Sequence, residues 1–221
     1  MSESTLHYIY DPMCGWCYGA APLIEAAREL TRIEAHAGGM MMGAQRRPVT
    51  PELRRYVNEA DQRIAHLSGQ PFGAAYQDGL LNDTGAVLDS EPPITAILAA
   101  DKVASQGLAL LARVQTAHYV EGRRVAERQV LADLAEDIGI NRAAFESAYD
   151  DMAGPSTREH VVATRALMNR LGATGFPSLV LERDGIFTRV ELAPYLGRPS
   201  AWLAFLGQIA TMPDTPLPTF P

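Results

Sequence analysis

Leu6-His7-Tyr8-Ile9-Tyr10-Asp11-Pro12-Met13-Cys14-Gly15-Trp16-Cys17-Tyr18 decides the fold, because the periodicity of the chain changes across it. Residues 6–10 read as a short strand, which Pro12 ends because proline cannot donate to a ladder. After Cys17, apolar residues recur at Ala20, Leu23, Ile24, Ala27 and Leu30, the spacing of one helix face. The two cysteines of the chain, separated by two residues, therefore sit where a strand hands over to a helix. The first turn of a helix offers unpaired N–H groups and the positive end of the macrodipole, which favour a thiolate over a thiol. Cys14 is accordingly predicted to be the reactive member of the pair, with Cys17 the more buried one. Pro22 falls inside the same helix, where it removes the bond to the Tyr18 carbonyl and predicts a kink.

By spacing alone a C-x-x-C pair admits a redox disulfide, half of a zinc site, or an inert pair. A zinc site wants two further ligands, and His7, His36, His66, His118 and His160 contain no H-x₃₋₅-H pair, so no metal is expected. Gly15 relaxes the loop and the junction should expose the first sulfur, which argues against inert cysteines. A net charge of −7 over 221 residues argues against nucleic acid or an anionic membrane as the main partner. No apolar run approaches the ~20 residues that span a bilayer. Met1-Ser2-Glu3-Ser4-Thr5 lacks a basic and then apolar leader, and no third cysteine is present. Both features fit a cytoplasmic protein, where a disulfide is transient and catalytic rather than structural.

Outward from the motif, Arg32 to Ala37 is predicted to be a second strand, parallel to the first through a right-handed crossover. That βαβ unit places the cysteines at its carboxyl edge, where open α/β sheets carry their sites. Gly38-Gly39-Met40-Met41-Met42-Gly43 ends this strand, with the methionines read as core filling or as a deformable apolar surface for substrate. From Pro51 to about Asp151 the texture is helical. Helices are expected from Thr50-Pro51 to Ser68-Gly69, from Pro92-Pro93, after Gly107, across Leu131 to Ile138, and after a capping Asn141. His118 shares an apolar face with Leu111 and Val114, as a satisfied core histidine would. Short charged runs such as Arg46-Arg47 and Arg123-Arg124 read as solvated faces. Ser156-x-x-Glu159 reads as a capping box that starts a further helix. A strand at Leu179–Leu181, an Asp184-Gly185 turn, a partner strand at residues 186–190 and a last helix at residues 199–211 follow. Residues 212–221 are too proline-rich to be helical and are expected to be extended or disordered.

Cys14-Gly15-Trp16-Cys17, preceded by Asp11-Pro12-Met13 and followed much later by Gly175-Phe176-Pro177-Ser178, resembles the DsbA-like branch of the thioredoxin superfamily. Within it, the chain looks most like predicted cytoplasmic protein-disulfide isomerases. The resemblance implies an α/β thioredoxin fold split by a helical domain. The corresponding parts are residues 1–48, an insertion over 49–154, the second thioredoxin-like part over 155–211, and a tail over 212–221. It also implies thiol–disulfide exchange, with Cys14 and Cys17 catalytic, Pro177 a cis-proline opposite them, and Phe176 beside it. Gly15, Trp16 and Asp11 are expected to tune the pair, and Phe176, Pro177 and Met40 to contact substrate. The expected partners are protein or peptide disulfides. Glutathione is a possible thiol co-substrate, and no other cofactor is expected. Some oxidising relatives carry histidine where this chain has Trp16, so an intermediate-to-reducing potential is expected. A buried acid on the first strand of better-known relatives is replaced by Tyr8. A glutathione-dependent transferase or isomerase of the kappa-class type, and a thiol-dependent chaperone, are the alternative readings.

Overall fold

The computed structural model describes residues 4–211, so the expected tail lies outside the described residues. β1 (Thr5–Tyr10), α1 (Gly15–Ala27) and β2 (Arg32–Ala37) form the βαβ unit, and β1 pairs parallel with β2 from Thr5↔Arg32 to Tyr10↔Ala37. Near the other end of the chain, β5 (Ser178–Arg183) pairs antiparallel with β1, and β6 (Ile186–Val190) with β5, giving the order β2-β1-β5-β6. β1 is thus central, and its alternation sorts side chains. Leu6, Tyr8 and Tyr10 face the main core, while His7 and Ile9 face the opposite side. The β5–β6 turn places Asp184 and Gly185 both at positive φ, the geometry that suits a two-residue hairpin.

Between the two halves of the sheet lie a short ladder of β3 (Arg47–Pro48) with β4 (Val87–Leu88) and five helices. These are α2 (Pro51–Ser68), α3 (Glu91–Ala104), α4 (Gly107–Tyr119), α5 (Arg128–Asp137) and α6 (Arg142–Met152). Their ends follow the expected chemistry. The Thr50 hydroxyl accepts from the Leu53 N–H, Gly69 closes α2 in the left-handed region, and Asn141 accepts from the Ala144 N–H. α7 (Pro155–Leu171) returns the chain to the sheet, and α8 (Pro199–Thr211) packs against α1, burying Trp202, Leu206 and Ile209. The Trp202 indole N–H donates to the Leu23 carbonyl at 2.9 Å, fixing α8 on the helix that carries the cysteines.

Two expectations change. α7 starts at Pro155 after Gly154, with no side-chain cap, and the Ser156 hydroxyl donates back to the Asp151 carbonyl. Proline at the first helical position opens the helix one step early, so the Ser156–Glu159 pair lies inside it rather than at its cap. β2 ends at Ala37 as expected, and Met40 and Met41 lie in the turn that follows it. His118 is a core residue, but burial leaves its Nδ1 without a hydrogen-bond partner among the described residues.

Candidate active site

Cys14 is itself the N-cap of α1, in extended conformation, and its N–H donates to the Asp11 carbonyl at 3.1 Å. Its sulfur consequently lies at the helix N-terminus, and Cys17 falls in the first turn. Both thiols are free. The first sulfur is less open than the junction suggests: Cys14 is 6% exposed and Cys17 fully enclosed. Cys14 packs in the main core, and its thiol donates to the Phe176 carbonyl at 3.4 Å. Burial, together with contact with the Cys14 sulfur, pushes the Cys17 thiol well up.

The wall opposite Cys14 comes from the loop before β5. The Phe176–Pro177 bond is cis. Phe176 is held closely. A methyl group in place of the Gly38 hydrogen would stand 2.2 Å from its ring, and the Arg165 guanidinium lies over the ring, 5.0 Å from its centroid. Arg165 also donates to the carbonyls of Gly38 and Gly39, so α7 ties the β2 exit to this wall. Beyond it, Trp16, Pro177, Arg189, Leu192 and Leu196 line a groove of ≈190 Å³.

Asp11 does not cap α1. It is fully buried, and its carboxylate accepts from the Met13 N–H at 2.9 Å, the Ser90 hydroxyl at 2.9 Å and the Met40 N–H at 2.5 Å. Burial pushes its carboxyl up, against the three hydrogen bonds that hold it down. It therefore clamps the cysteine loop to the β2 exit and to the residue preceding α3. The structure engages Met40 here through its main chain, with the side chain half-buried.

The remaining wall is made by the inserted segment, of which only Tyr119, in a stretch resembling the family, was marked in the sequence. Gly15 and Gly19 lie four apart on α1. A methyl group on Gly15 would stand 2.9 Å from Ile64 and 3.2 Å from the Asp61 carboxylate, and one on Gly19 would stand 2.7 Å from Ile64. The small residues thus let α2 press directly onto the motif. Asp61 is 4% exposed and accepts from the Tyr76 hydroxyl at 3.0 Å, and burial raises its pKa to about 6. Tyr119 stacks on Tyr18 at 4.8 Å, and burial, then Tyr76 and the Cys14 sulfur, drive its hydroxyl pKa far up. Tyr8, on β1, sits beside Cys17 and is shifted upward by burial and by both sulfurs. The Gln70 amide donates to the Tyr18 carbonyl at 3.2 Å, the group that Pro22 leaves without its helical partner. The pair of glycines was the available signal for this contact, since small residues at helical spacing mark a close neighbour.

Residues 5–193 match the DSBA-like thioredoxin domain family. The chain belongs to that family. Among solved structures, a cytosolic disulfide reductase, DsbM from Pseudomonas aeruginosa, is 52% identical over 93% of this chain and 98% of its own, with a TM-score of 0.87. The same reductase with GSH aligns over 94% of this chain and 100% of its own, at 48% identity and TM-score 0.87. A putative protein disulfide isomerase from Nitrosomonas europaea is 26% identical over 94% of this chain and 97% of its own, at TM-score 0.75. No curated protein matches the chain. As a DSBA-like protein it is a thiol–disulfide oxidoreductase with helices inserted into a thioredoxin fold.

Proposed function

We propose that the protein is a cytoplasmic disulfide reductase that takes its electrons from glutathione. The observation that carries this is the free Cys14 at the N-cap of α1, hydrogen-bonded to the carbonyl of Phe176, a residue that lines the neighbouring groove, with Cys17 fully enclosed. In this reading the Cys14 thiolate attacks one sulfur of a substrate disulfide, forming a Cys14–substrate bond and expelling the other substrate sulfur as thiolate. Cys17 loses its proton and attacks the Cys14 sulfur, closing the Cys14–Cys17 disulfide and releasing the second substrate thiolate. Two glutathione thiols then restore the dithiol in two exchanges and leave as glutathione disulfide. The half-buried Phe176 and Pro177 and the backbone beside them offer an extended peptide a strand-like partner while its sulfur meets Cys14.

The likeness to DsbM, a cytosolic reductase with a GSH-bound form, supports glutathione, the direction of transfer and the compartment. Trp16 supports the same direction, because an indole gives one neutral donor and cannot stabilise the thiolate by charge. Among the described residues no helix is long and apolar enough to cross a membrane. Isomerase activity would follow where a second substrate thiol, rather than Cys17, resolves the Cys14 mixed disulfide. Proteins or peptides are proposed as substrates on the same geometric grounds.

The test is the reduction potential of the Cys14–Cys17 pair against glutathione, with glutathione-coupled reduction of a model disulfide measured beside it. A potential nearer thioredoxin than DsbA, with turnover that needs Cys14, is expected. For this couple ~30 mV corresponds to about 1.4 kcal/mol, so a DsbA-like value reverses the direction of flow and overturns the reading.

A further inference from the structure

The face of the sheet turned away from the cysteines carries a polar cluster that the redox reaction does not use. His7 lies opposite Glu34 in the β1–β2 register, and His36 lies two residues further along β2, so alternation puts all three side chains on one face. His7 Nδ1 is 3.0 Å from His36 Nε2, and His36 Nε2 is 3.8 Å from a Glu34 carboxylate oxygen. The donor atoms of His7, Glu34 and His36 all lie within 4.8 Å of one another. Behind them, His7 Nε2 is 2.8 Å from Glu182 on β5. A carboxylate only accepts, so His7 carries its proton on Nε2 and presents Nδ1 as a lone pair towards His36. A carboxylate on the far nitrogen of an imidazole is the arrangement that fixes tautomer and ring orientation in metal sites.

Other details fit the same chemistry. Strands rather than loops carry the three donors, so the site is held by the ladder. His7 is buried, His36 half-buried and Glu34 exposed on the edge strand β2, which leaves a route in from solvent. Two imidazoles on a tetrahedral ion with bonds of ~2.0–2.1 Å stand about 3.3 Å apart, so the pair must open by about 0.3 Å to admit one. His36 would move its proton to Nδ1. Imidazole and carboxylate together suit zinc, nickel, cobalt or copper rather than magnesium or calcium.

We propose that His7 Nδ1, His36 Nε2 and Glu34 bind a divalent transition-metal ion, such as zinc, on the sheet face opposite the dithiol. An ion there ties β1 to β2 beneath the motif that β1 positions. The expectation of no metal rested on spacing along the chain, which cannot register ligands delivered by two strands. Thiolates as a class ligate zinc, so the test uses full-length protein oxidised to the Cys14–Cys17 disulfide.

Titration with zinc by calorimetry should give one ion per chain. His36→Ala should weaken binding at least about tenfold, and Glu34→Gln should weaken it less. Cobalt should give visible ligand-field bands without sulfur charge transfer. His7→Ala risks the fold because His7 is buried, so the two β2 variants carry the test, with circular dichroism to confirm that each is folded. Absence of binding by the disulfide form, or zinc affinity unchanged in His36→Ala, would overturn the site.

Discussion

The dithiol lies between two walls of different character. On one side the loop before β5 presents a backbone carbonyl, an aromatic ring and a proline along a groove open to solvent. On the other, α2 and α4 bring Asp61 and Tyr119 onto a motif that is glycine where they approach it, with Tyr76 donating to Asp61 behind them. The first wall can admit a chain. The second is closed by side-chain packing. Cys14 meets the open wall through the Phe176 carbonyl, while Cys17 is fully enclosed.

The largest expected effect tests that separation directly. Cys14→Ser should abolish reductase turnover, whereas Cys17→Ser should still be attacked by substrate and accumulate mixed disulfides on Cys14, visible by intact mass. Mixed disulfides on Cys14→Ser would exchange the roles of the two cysteines.

Gly38 sharpens the open wall. Alanine there places a methyl group 2.2 Å from the Phe176 ring, so the ring must leave its seat under Arg165 and take the carbonyl facing Cys14 with it. Displacement of about 1 Å near reacting atoms can cost ~100-fold, so a loss of ~10–100-fold in kcat/KM is expected for Gly38→Ala. Gly175→Ala is the control, because a methyl group at that neighbouring position meets nothing within 4 Å. Equal losses in both variants would show that the loop, not the seat, limits the reaction.

The open wall was far more legible in the sequence than the closed one. Cysteine spacing and the change of period mark β1 and α1, and turn and cap residues at Thr50, Gly69, Asn141 and Asp184-Gly185 mark local geometry that short stretches dictate. Pro177 was placed by resemblance rather than by any local rule. Tyr119 was marked only by resemblance, in the stretch Tyr119-Val120-Glu121-Gly122, and Asp61 and Tyr76 left no such trace, since each looks like an ordinary residue until α2 docks on α1. The His7, Glu34 and His36 cluster was hidden for the same reason: its spacing exists only across a strand register. The failed capping box at Ser156 is the opposite case, a correct local pattern displaced when the adjacent Pro155 opened the helix first.

Asp61 probes the closed wall through pH. Its pKa rises from 3.8 unfolded to about 6 folded, because burial penalises the carboxylate more than the Tyr76 hydroxyl supports it. The native state therefore has this group's full stability below pH 3.8 and loses it as pH rises through about 6. At pH 7 the cost is about 3 kcal/mol, from ~1.4 kcal/mol per pH unit. Asp61→Asn keeps an acceptor for Tyr76 and should be more stable than the parent at pH 7 by up to that amount in urea unfolding. If Asp61 handles a proton for the cysteines, the same variant should also lose the inflection near pH 6 in the rate of mixed-disulfide resolution. A stability gain with an unchanged pH–rate profile would reduce Asp61 to a packing role and leave the closed wall a lid.

His118 tests whether proximity to that wall is enough to confer a role. Its ring meets Tyr119 edge-on at 4.6 Å and Tyr76 at 5.2 Å, so it lies against the aromatic residues of the closed wall, and burial lowers its pKa from 6.5 to about 3. A folded-state pKa below the unfolded value contributes stability that is complete above pH 6.5 and is lost as pH falls towards 3. At pH 5 the loss is about 2 kcal/mol, since the unfolded chain takes up a proton that the native ring refuses. His118→Leu removes that proton uptake. It also removes a buried Nδ1 that has no partner among the described residues, worth ~1–3 kcal/mol, against the aromatic contacts it gives up. The two terms oppose each other, so stability at pH 7.5 should stay within about 1 kcal/mol of the parent, with the variant gaining about 2 kcal/mol relative to it on going to pH 5. Urea midpoints at the two pH values measure both quantities. Turnover should hold, because His118 reaches the sulfurs only through Tyr119. A parallel pH dependence in parent and variant would mean that His118 is protonated in the folded protein, and that the closed wall is wetter than its burial implies.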